Sequence, residues 1–393
     1  MKTMKWKFYS LAFVAGMSIL TACSSDDNND NDGNGGNGNG NEIENGTILK
    51  GTITSDVTLA AGNTYKLSGE YIVEEGGTLH IEEGVKIIAV YDDIADYILV
   101  KQGGKINAVG TPDKPIVMTS EKEEPGAWGG IHICGRAHTN AEGGKGSSEI
   151  GGAVYGGNDD ADNSGTLQYI RLEYTGFAFD EEHEANGISF YGVGNGTIVD
   201  HCQAYKGSDD GFEFFGGSVN VSNLVAVSCS DDSFDWTEGW NGKGTNLVAY
   251  QEDKSTLGYD CDCLMECDNN GSNNAATPVA HPVLKNLILV GNGGSKQGIR
   301  LRAGTEVEID NAKVCGKGQP LTVETALTEN ALKNGTSKLT NITLTSELSS
   351  KEGIYTHADF IAVTSNKVDA NLSYSSFEDI RKECSWMNGS WVK

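Results

Sequence analysis

The clearest pattern in the chain is a unit of short apolar runs written twice. Val199-Asp-His-Cys-Gln-Ala-Tyr-Lys-Gly-Ser-Asp-Asp-Gly-Phe-Glu-Phe214 is followed, 22 residues on, by Val221-Ser-Asn-Leu-Val-Ala-Val-Ser-Cys-Ser-Asp-Asp-Ser-Phe-Asp-Trp236. Each unit holds two β-type runs with turn residues between them and no segment of helical period. A fixed period in the 20s marks a solenoid, because one such unit cannot bury a core alone. The pattern extends upstream through Tyr169–Tyr174 and Asn186–Phe190. Downstream it continues through Asn246–Tyr250, Asp262–Cys267, Asn286–Leu289 and Gln297–Leu301. Shorter apolar runs punctuated by glycine fill Val57–Val90, Tyr97–Gly110, Lys114–Thr119 and Trp128–Ile133. The expected fold is all-β: a right-handed parallel β-helix with coils of about 22–25 residues.

Aligning the coils puts carboxylates in columns. Asp209, Asp231 and Asp262 share one position, and Glu213, Asp235 and Glu266 share another. Arg300 falls at the end of the second column. Side chains alternate along a strand, so Asp209 and Glu213 take one face while Phe212 and Phe214 take the other. The aromatic face is the better interior. The six carboxylates are then expected on one outward patch, in coils ~4.8 Å apart. Like charges at that spacing destabilise a sheet, so a compensating ligand is expected. Oxygen ligands at this density suit Ca²⁺, with Asp209, Glu213, Asp231 and Asp235 as the candidate site.

The chain divides into four segments. Residues 1–22 read as a signal peptide, with Lys2, Lys5 and Lys7 before the apolar stretch Leu11–Leu20. Residues 23–45 read as a lipidated cysteine and an Asp/Asn/Gly tether. Leu20-Thr-Ala-Cys23 resembles the lipobox of bacterial lipoproteins, with Cys23 as the lipidated residue. Ser24-Ser-Asp-Asp27 resembles the acidic export signal of lipoproteins carried to the outer face of the outer membrane. The β-helix is expected over 46–320, interrupted by insertions near 137–164, 177–185 and 268–282. Solenoid insertions gather on the binding side. Residues 321–393 are expected to be terminal coils and a C-terminal cap over the open end.

Composition narrows the partners. The chain has 393 residues, a formal net charge of −26, 52 Gly and 6 Pro. Removing residues 1–22 takes three lysines and no acid with it, so −26 becomes −29. Such a balance argues against nucleic acid. It also argues against an anionic membrane surface for the folded body, leaving the membrane contact to the lipid on Cys23. Eight further cysteines are expected to be buried or disulfide-bonded, and their pairing is not readable from spacing. Cys261-x-Cys263-x₃-Cys267 matches no known zinc finger. Asp160–Gly165 looks like the start of a calcium loop, but Arg171 stands where the bidentate Glu is required. His132, His183 and His201 read as structural. Phe177, Phe179, Tyr191, Tyr205 and Trp240 suit either sugar stacking or packing, with packing the better reading for most of them.

Several longer phrases resemble a family of bacterial outer-membrane lipoproteins with a right-handed parallel β-helix. They are Gly76–Ile87, Gly103–Ser120, Trp128–Ala137, Tyr155–Gly176, Asn186–Gly217 and Trp386–Trp391. The resemblance runs from about Gly51 to Lys393. It implies the fold and an outer-membrane location and adds little chemistry, because the family's biochemical function is poorly defined. Two shorter segments resemble polygalacturonases: Ser208-Asp-Asp-Gly211 their paired-Asp segment, and Gly298-Ile-Arg-Leu-Arg302 their basic substrate-binding segment. Their Gly-His-Gly segment is missing, since His281 is the one histidine between Asp210 and Arg300.

The expected function is therefore a surface-exposed outer-membrane lipoprotein. Its body would bind a nutrient, glycan or small molecule without catalysis, in company with an outer-membrane transporter. Candidate ligand-binding residues are Asp209, Glu213, Asp231, Asp235, Asp262, Glu266 and Arg300. One alternative is a pectinase-like glycoside hydrolase or lyase using Asp209, Asp210, Asp231 and Arg300. Another is an adhesin or structural surface protein.

Overall fold

The computed structural model describes residues 41–92, 94–179 and 183–393. The residues read as a signal peptide, Cys23 and most of those read as a tether lie outside the described residues. The body is a parallel β-helix: strands of successive coils pair in parallel from Asn41 to Val368. Among the described residues no helix is long and apolar enough to cross a membrane.

Each full coil contributes to three sheets, where the sequence pattern showed two runs. The strand Ile198–Tyr205 pairs with Asn220–Val227 in two blocks. Ile198–Asp200 lie opposite Asn220–Ser222, and Cys202–Tyr205 opposite Leu224–Val227. The residues skipped are His201 and Asn223, both left-handed, with φ 53° and 55°. One apolar run is thus folded at a corner into a first and a second sheet. Asn246, Asn286, Asn311 and Asn341 make the same corner in later coils, with φ between 57° and 63°. Asparagine tolerates this conformation better than other non-glycine residues. The corner amides also bond to one another. Asn246 donates to Asn223 (2.8 Å), Asn286 to Asn246 (3.0 Å) and Asn311 to Asn286 (2.8 Å).

The second apolar run forms the third sheet. Phe212 lies opposite Phe234 and Phe214 opposite Trp236. All four are buried, so the aromatic face is the interior. Phe212 and Phe234 stack at 5.6 Å. Phe214 does not stack on Trp236 as the register suggests. Trp240, from the following turn, stacks on Phe214 at 4.2 Å and tilts against Trp236 at 5.8 Å. A large indole fills space that two coil-spaced rings leave open. This makes Trp240 a core residue, and Tyr191 is buried as well.

The outer faces are not all solvated. Ile150, Ala153 and Tyr155, from the insertion after Cys134, cover Tyr97, Leu99, Tyr191 and Phe215 on the outside of the third sheet. That insertion also meets the later one. Asn140 donates to the carbonyls of Asn269 (3.3 Å) and Pro278 (3.0 Å) and to the side chain of Asn269 (2.8 Å).

The C-terminal segment is a strap and not an end cap. The helix Phe377–Glu383 and the residues Met387 and Trp391 pack on Val225, Val227, Val248, Ile288 and Val290, on the outside of the second sheet. The chain then runs back along the solenoid until Ser390 donates to the Pro112 carbonyl (2.8 Å) and Lys393 pairs with Glu173 (3.1 Å). The physical reason lies in the runs themselves. Leu224–Val227 and Leu287–Val290 are apolar at successive positions, as strands covered on both faces are. Leu332, Tyr355 and Phe360, from the segments before the strap, join the main core instead. All eight cysteines after Cys23 are free and buried.

Candidate functional site

The turn between the second and third sheets, Ser208–Gly211 and its counterparts, presents a carboxylate group in each of three coils. Asp209, Glu213, Asp231, Asp235, Asp262 and Glu266 come together on the outside of the third sheet as aligned. Asp235 lies opposite both Glu213 and Glu266, and Glu266 opposite Arg300. The expectation of an open outward patch needs correction. Only Asp231 is exposed, and the other five are half-buried. The insertion carrying Ile150, Ala153 and Tyr155 packs on the same outer face, and we refer to the acidic face it flanks as the cleft.

Two further acids belong to the cluster. Strict alternation would send Asp210 and Asp232 inward with the phenylalanines. They stand in the bend before the strand, where alternation does not apply, and they face the carboxylates. Asp210 accepts the backbone N–H of Asp232 (2.8 Å), and Asp232 accepts that of Cys263 (2.6 Å). Each carboxylate thereby fastens the next coil. The recurrence of Ser-Asp-Asp at 208–210 and 230–232 was the signal available for them. Cys263 takes the same place one coil later, which the sequence reading missed. Asn186 was missed too. It is 1% exposed and donates to Glu213 (2.6 Å) and to Ser189 (3.0 Å).

Three groupings have ligand atoms all within 4.8 Å of one another: Asp209, Asp210 and Asp231; Asp210, Glu213 and Asp235; and Asp232, Asp262 and Cys263. Exposed acidic groups are common without an ion, so the surroundings matter more than the count. Here burial and mutual repulsion act in the same direction. Burial first, then Asp231, pushes Asp209 up to about 7. Burial and then Asp262 push Asp231 up to about 6. Asp231 keeps solvent access although protein crowds around its carboxylate. Asp210, Glu213, Asp232 and Asp235 are raised well above the usual range, burial leading and neighbouring acids adding.

The cluster has two unlike ends. At one end Arg300 bonds Glu266 (2.8 Å) and Glu324 (3.3 Å), while Arg302 bonds Asp268 (2.8 Å) and Glu266 (3.1 Å). Lys296 pairs with Asp262. At the other end Asp209, Asp210, Glu213 and Asp235 have no ion pair to a cation among the described residues. Two buried oxygens there, Asn186 Oδ1 and Asp235 Oδ1, have no hydrogen-bond partner among the described residues. Arg300 therefore neutralises one end of the column rather than closing it against the whole set.

The residues at the unpaired end suit a hard divalent cation. They offer carboxylate and amide oxygens without a thiol, and two of those oxygens are unsatisfied. The Asp232, Asp262 and Cys263 grouping is chemically different, because the Cys263 thiol is buried and held protonated. His132 is also close by in the fold but fully buried, and burial lowers it to about 4. It is a packing histidine under the insertion.

Comparison with known families gives one decisive match. The model of the pectate-lyase-like β-helix domain covers residues 51–392. The chain belongs to that family. Among solved structures, this family member is similar to the Dettilon tailspike protein, at 8% identity and a TM-score of 0.30. That alignment covers 76% of this chain and 56% of the tailspike chain. A comparison with curated proteins found no match.

Proposed function

We propose that this pectate-lyase-like β-helix protein is an outward-facing, lipid-anchored outer-membrane protein that captures glycan in its acidic cleft with the help of Ca²⁺. The observation that carries the reading is the unpaired end of the cluster. Asp209, Asp210, Glu213 and Asp235 crowd there with orphaned oxygens on Asn186 and Asp235. A bound cation would supply positive charge and open coordination positions for sugar hydroxyls. Asp210, Glu213 and Asp235 would hold it, while Asn186 orients Glu213. Arg300 and Arg302 keep the far end neutral, so the cleft is not repulsive along its whole length. Anchoring through Cys23 and the tether places the cleft where an outer-membrane transporter can receive what is captured.

A second reading has its own observation. Asp209, held near 7, sits within 4.8 Å of Asp210 and Asp231. Retaining glycoside hydrolysis uses two carboxyl groups only about 5 Å apart, with separated protonation states. On that reading Asp209 donates the proton and Asp231 is its ionised partner.

One experiment separates the two. The full chain, purified in detergent, is incubated with a panel of plant and microbial polysaccharides, with Ca²⁺ or with a chelator. Calcium-dependent retention without new reducing ends or unsaturated products supports capture. Product formation lost in Asp209→Asn replaces capture with cleavage. Retention that ignores calcium removes the cation from the proposal. The anchoring is checked in cells: surface protease should remove the body from intact cells, and Cys23→Ala should leave unlipidated precursor. Protection of the body until the outer membrane is broken would place it on the periplasmic side.

A further inference from the structure

A second groove lies away from the acidic cleft, at the corner between the first and second sheets. Its floor is the row of corner asparagines, and it is lined by Asn246, Asn286, Asn311, Lys313 and Trp386, with a volume of about 280 Å³. We propose that this groove binds a neutral oligosaccharide along the solenoid axis.

The argument begins with the amides. Each interior member of the row spends one N–H on the preceding coil and one oxygen lone pair on the next. A primary amide has two N–H groups and two lone pairs, so one of each remains per coil. Asn286 and Asn311 are exposed and Asn246 is half-buried, so these groups face solvent. The row from Asn223 to Asn311 takes three coil steps of ~4.8 Å, giving roughly 14 Å of repeating donor and acceptor. A sugar presents adjacent hydroxyls that both donate and accept, at repeated intervals along a chain. The amide row matches that chemistry at each step.

The wall and the charge select further. Trp386 is half-buried and lines the groove, its ring held against His201 and Trp391. An indole supplies the flat apolar surface on which the C–H face of a pyranose packs. Lys313, the cation in the groove, pairs with Glu383. The lining therefore presents no unpaired charge to attract a uronate, a phosphate or an acidic peptide. The C-terminal strap completes the site, because Trp386 reaches the asparagine row only when the strap lies on the second sheet. This groove is independent of the cation-dependent cleft: none of its lining residues belongs to the carboxylate cluster.

The test is calorimetric titration of the full chain in detergent with cellohexaose, xylohexaose and chitohexaose, and with the corresponding disaccharides. At least one hexasaccharide should bind more tightly than its disaccharide. Asn286→Ala, at an exposed position, should weaken that binding roughly three- to tenfold, the value of one or two hydrogen bonds. Trp386→Ala should weaken it about tenfold or more. An Asp231→Asn/Asp235→Asn variant should bind as the wild type does, with or without chelator. Should Trp386→Ala unfold the strap, the Asn286→Ala result decides alone. Absence of binding to all three hexasaccharides overturns the proposal. So does binding that Asn286→Ala leaves unchanged, or binding that disappears in the cleft variant.

Discussion

The two faces of the third sheet are made from alternate residues of the same strands in the same register, and they pose opposite problems. On the inside, Phe212 stacks on Phe234 and Phe190 on Phe214, so a repeated side chain gains from its own repetition. On the outside, Glu213, Asp235 and Glu266 repeat at the same spacing, and repetition costs energy. A solenoid forces like onto like. Apolar columns are stabilised by that rule, and charged columns are tolerated only where something else intervenes. At one end the intervening groups are Arg300 and Arg302. At the other end the protein supplies none that is described.

The largest expected effect comes from the inner face. Phe234→Ala should cost ~3–5 kcal/mol of unfolding free energy by denaturant titration, as large-to-small core changes do. A loss below ~1 kcal/mol would mean that Phe234 contributes little to the stack, and the contrast between faces would collapse.

Next comes the compensated end of the outer face. Arg300→Leu leaves Glu324 without its partner and Glu266 with Arg302 alone. It should destabilise by about 1.5–3 kcal/mol, the range for hydrogen bonds to charged groups. An unchanged melting temperature would show that the arginine is not needed to offset the column.

The uncompensated end should respond in the opposite direction. Asp231→Asn/Asp235→Asn should raise metal-free stability, on the order of 1 kcal/mol, by relieving like-charge contacts. Calcium should stabilise the wild type by RT ln(1 + [L]/Kd), about 2.7 kcal/mol at a hundredfold excess, and the variant less. Magnesium should do less than calcium because it demands tighter octahedral geometry. If calcium leaves the wild type unmoved while the variant gains stability, the site remains repulsive but serves another ligand.

The same end should also show a pH dependence. Asp209 and Asp231 titrate near 7 and 6 in the folded chain, above their unfolded values near 4. The folded state then holds more protons than the unfolded state between those limits. Stability from these groups is fully present below about pH 4 and is lost as pH rises through 6 and 7. Metal-free melting temperature should therefore fall between pH 5 and pH 8, and calcium should flatten the fall. A rising temperature over that interval would mean that these carboxylates are ionised and well paired.

Periodicity alone determined much of this protein. The recurrence of Val199–Phe214 at Val221–Trp236 specified the coil, the stacking of coils and the inward aromatic face, because a period of two assigns faces wherever the backbone is extended. It also brought Asp209, Asp231 and Asp262 into one column and Glu213, Asp235, Glu266 and Arg300 into another. The tertiary structure decided what lies between strands and across coils. The left-handed residues His201 and Asn223 split one run into two sheets, and no apolar pattern marks such a corner. Asp210 and Asp232 turned outward because alternation lapses in the bend that carries them. Trp240 entered the core from a turn, filling a volume that no linear pattern describes. The insertion around Ile150 covered part of the third sheet's outer face, and the strap ending at Lys393 covered the second sheet instead of the end. In each case the deciding quantity was a distance between segments remote in sequence, which local periodicity does not contain.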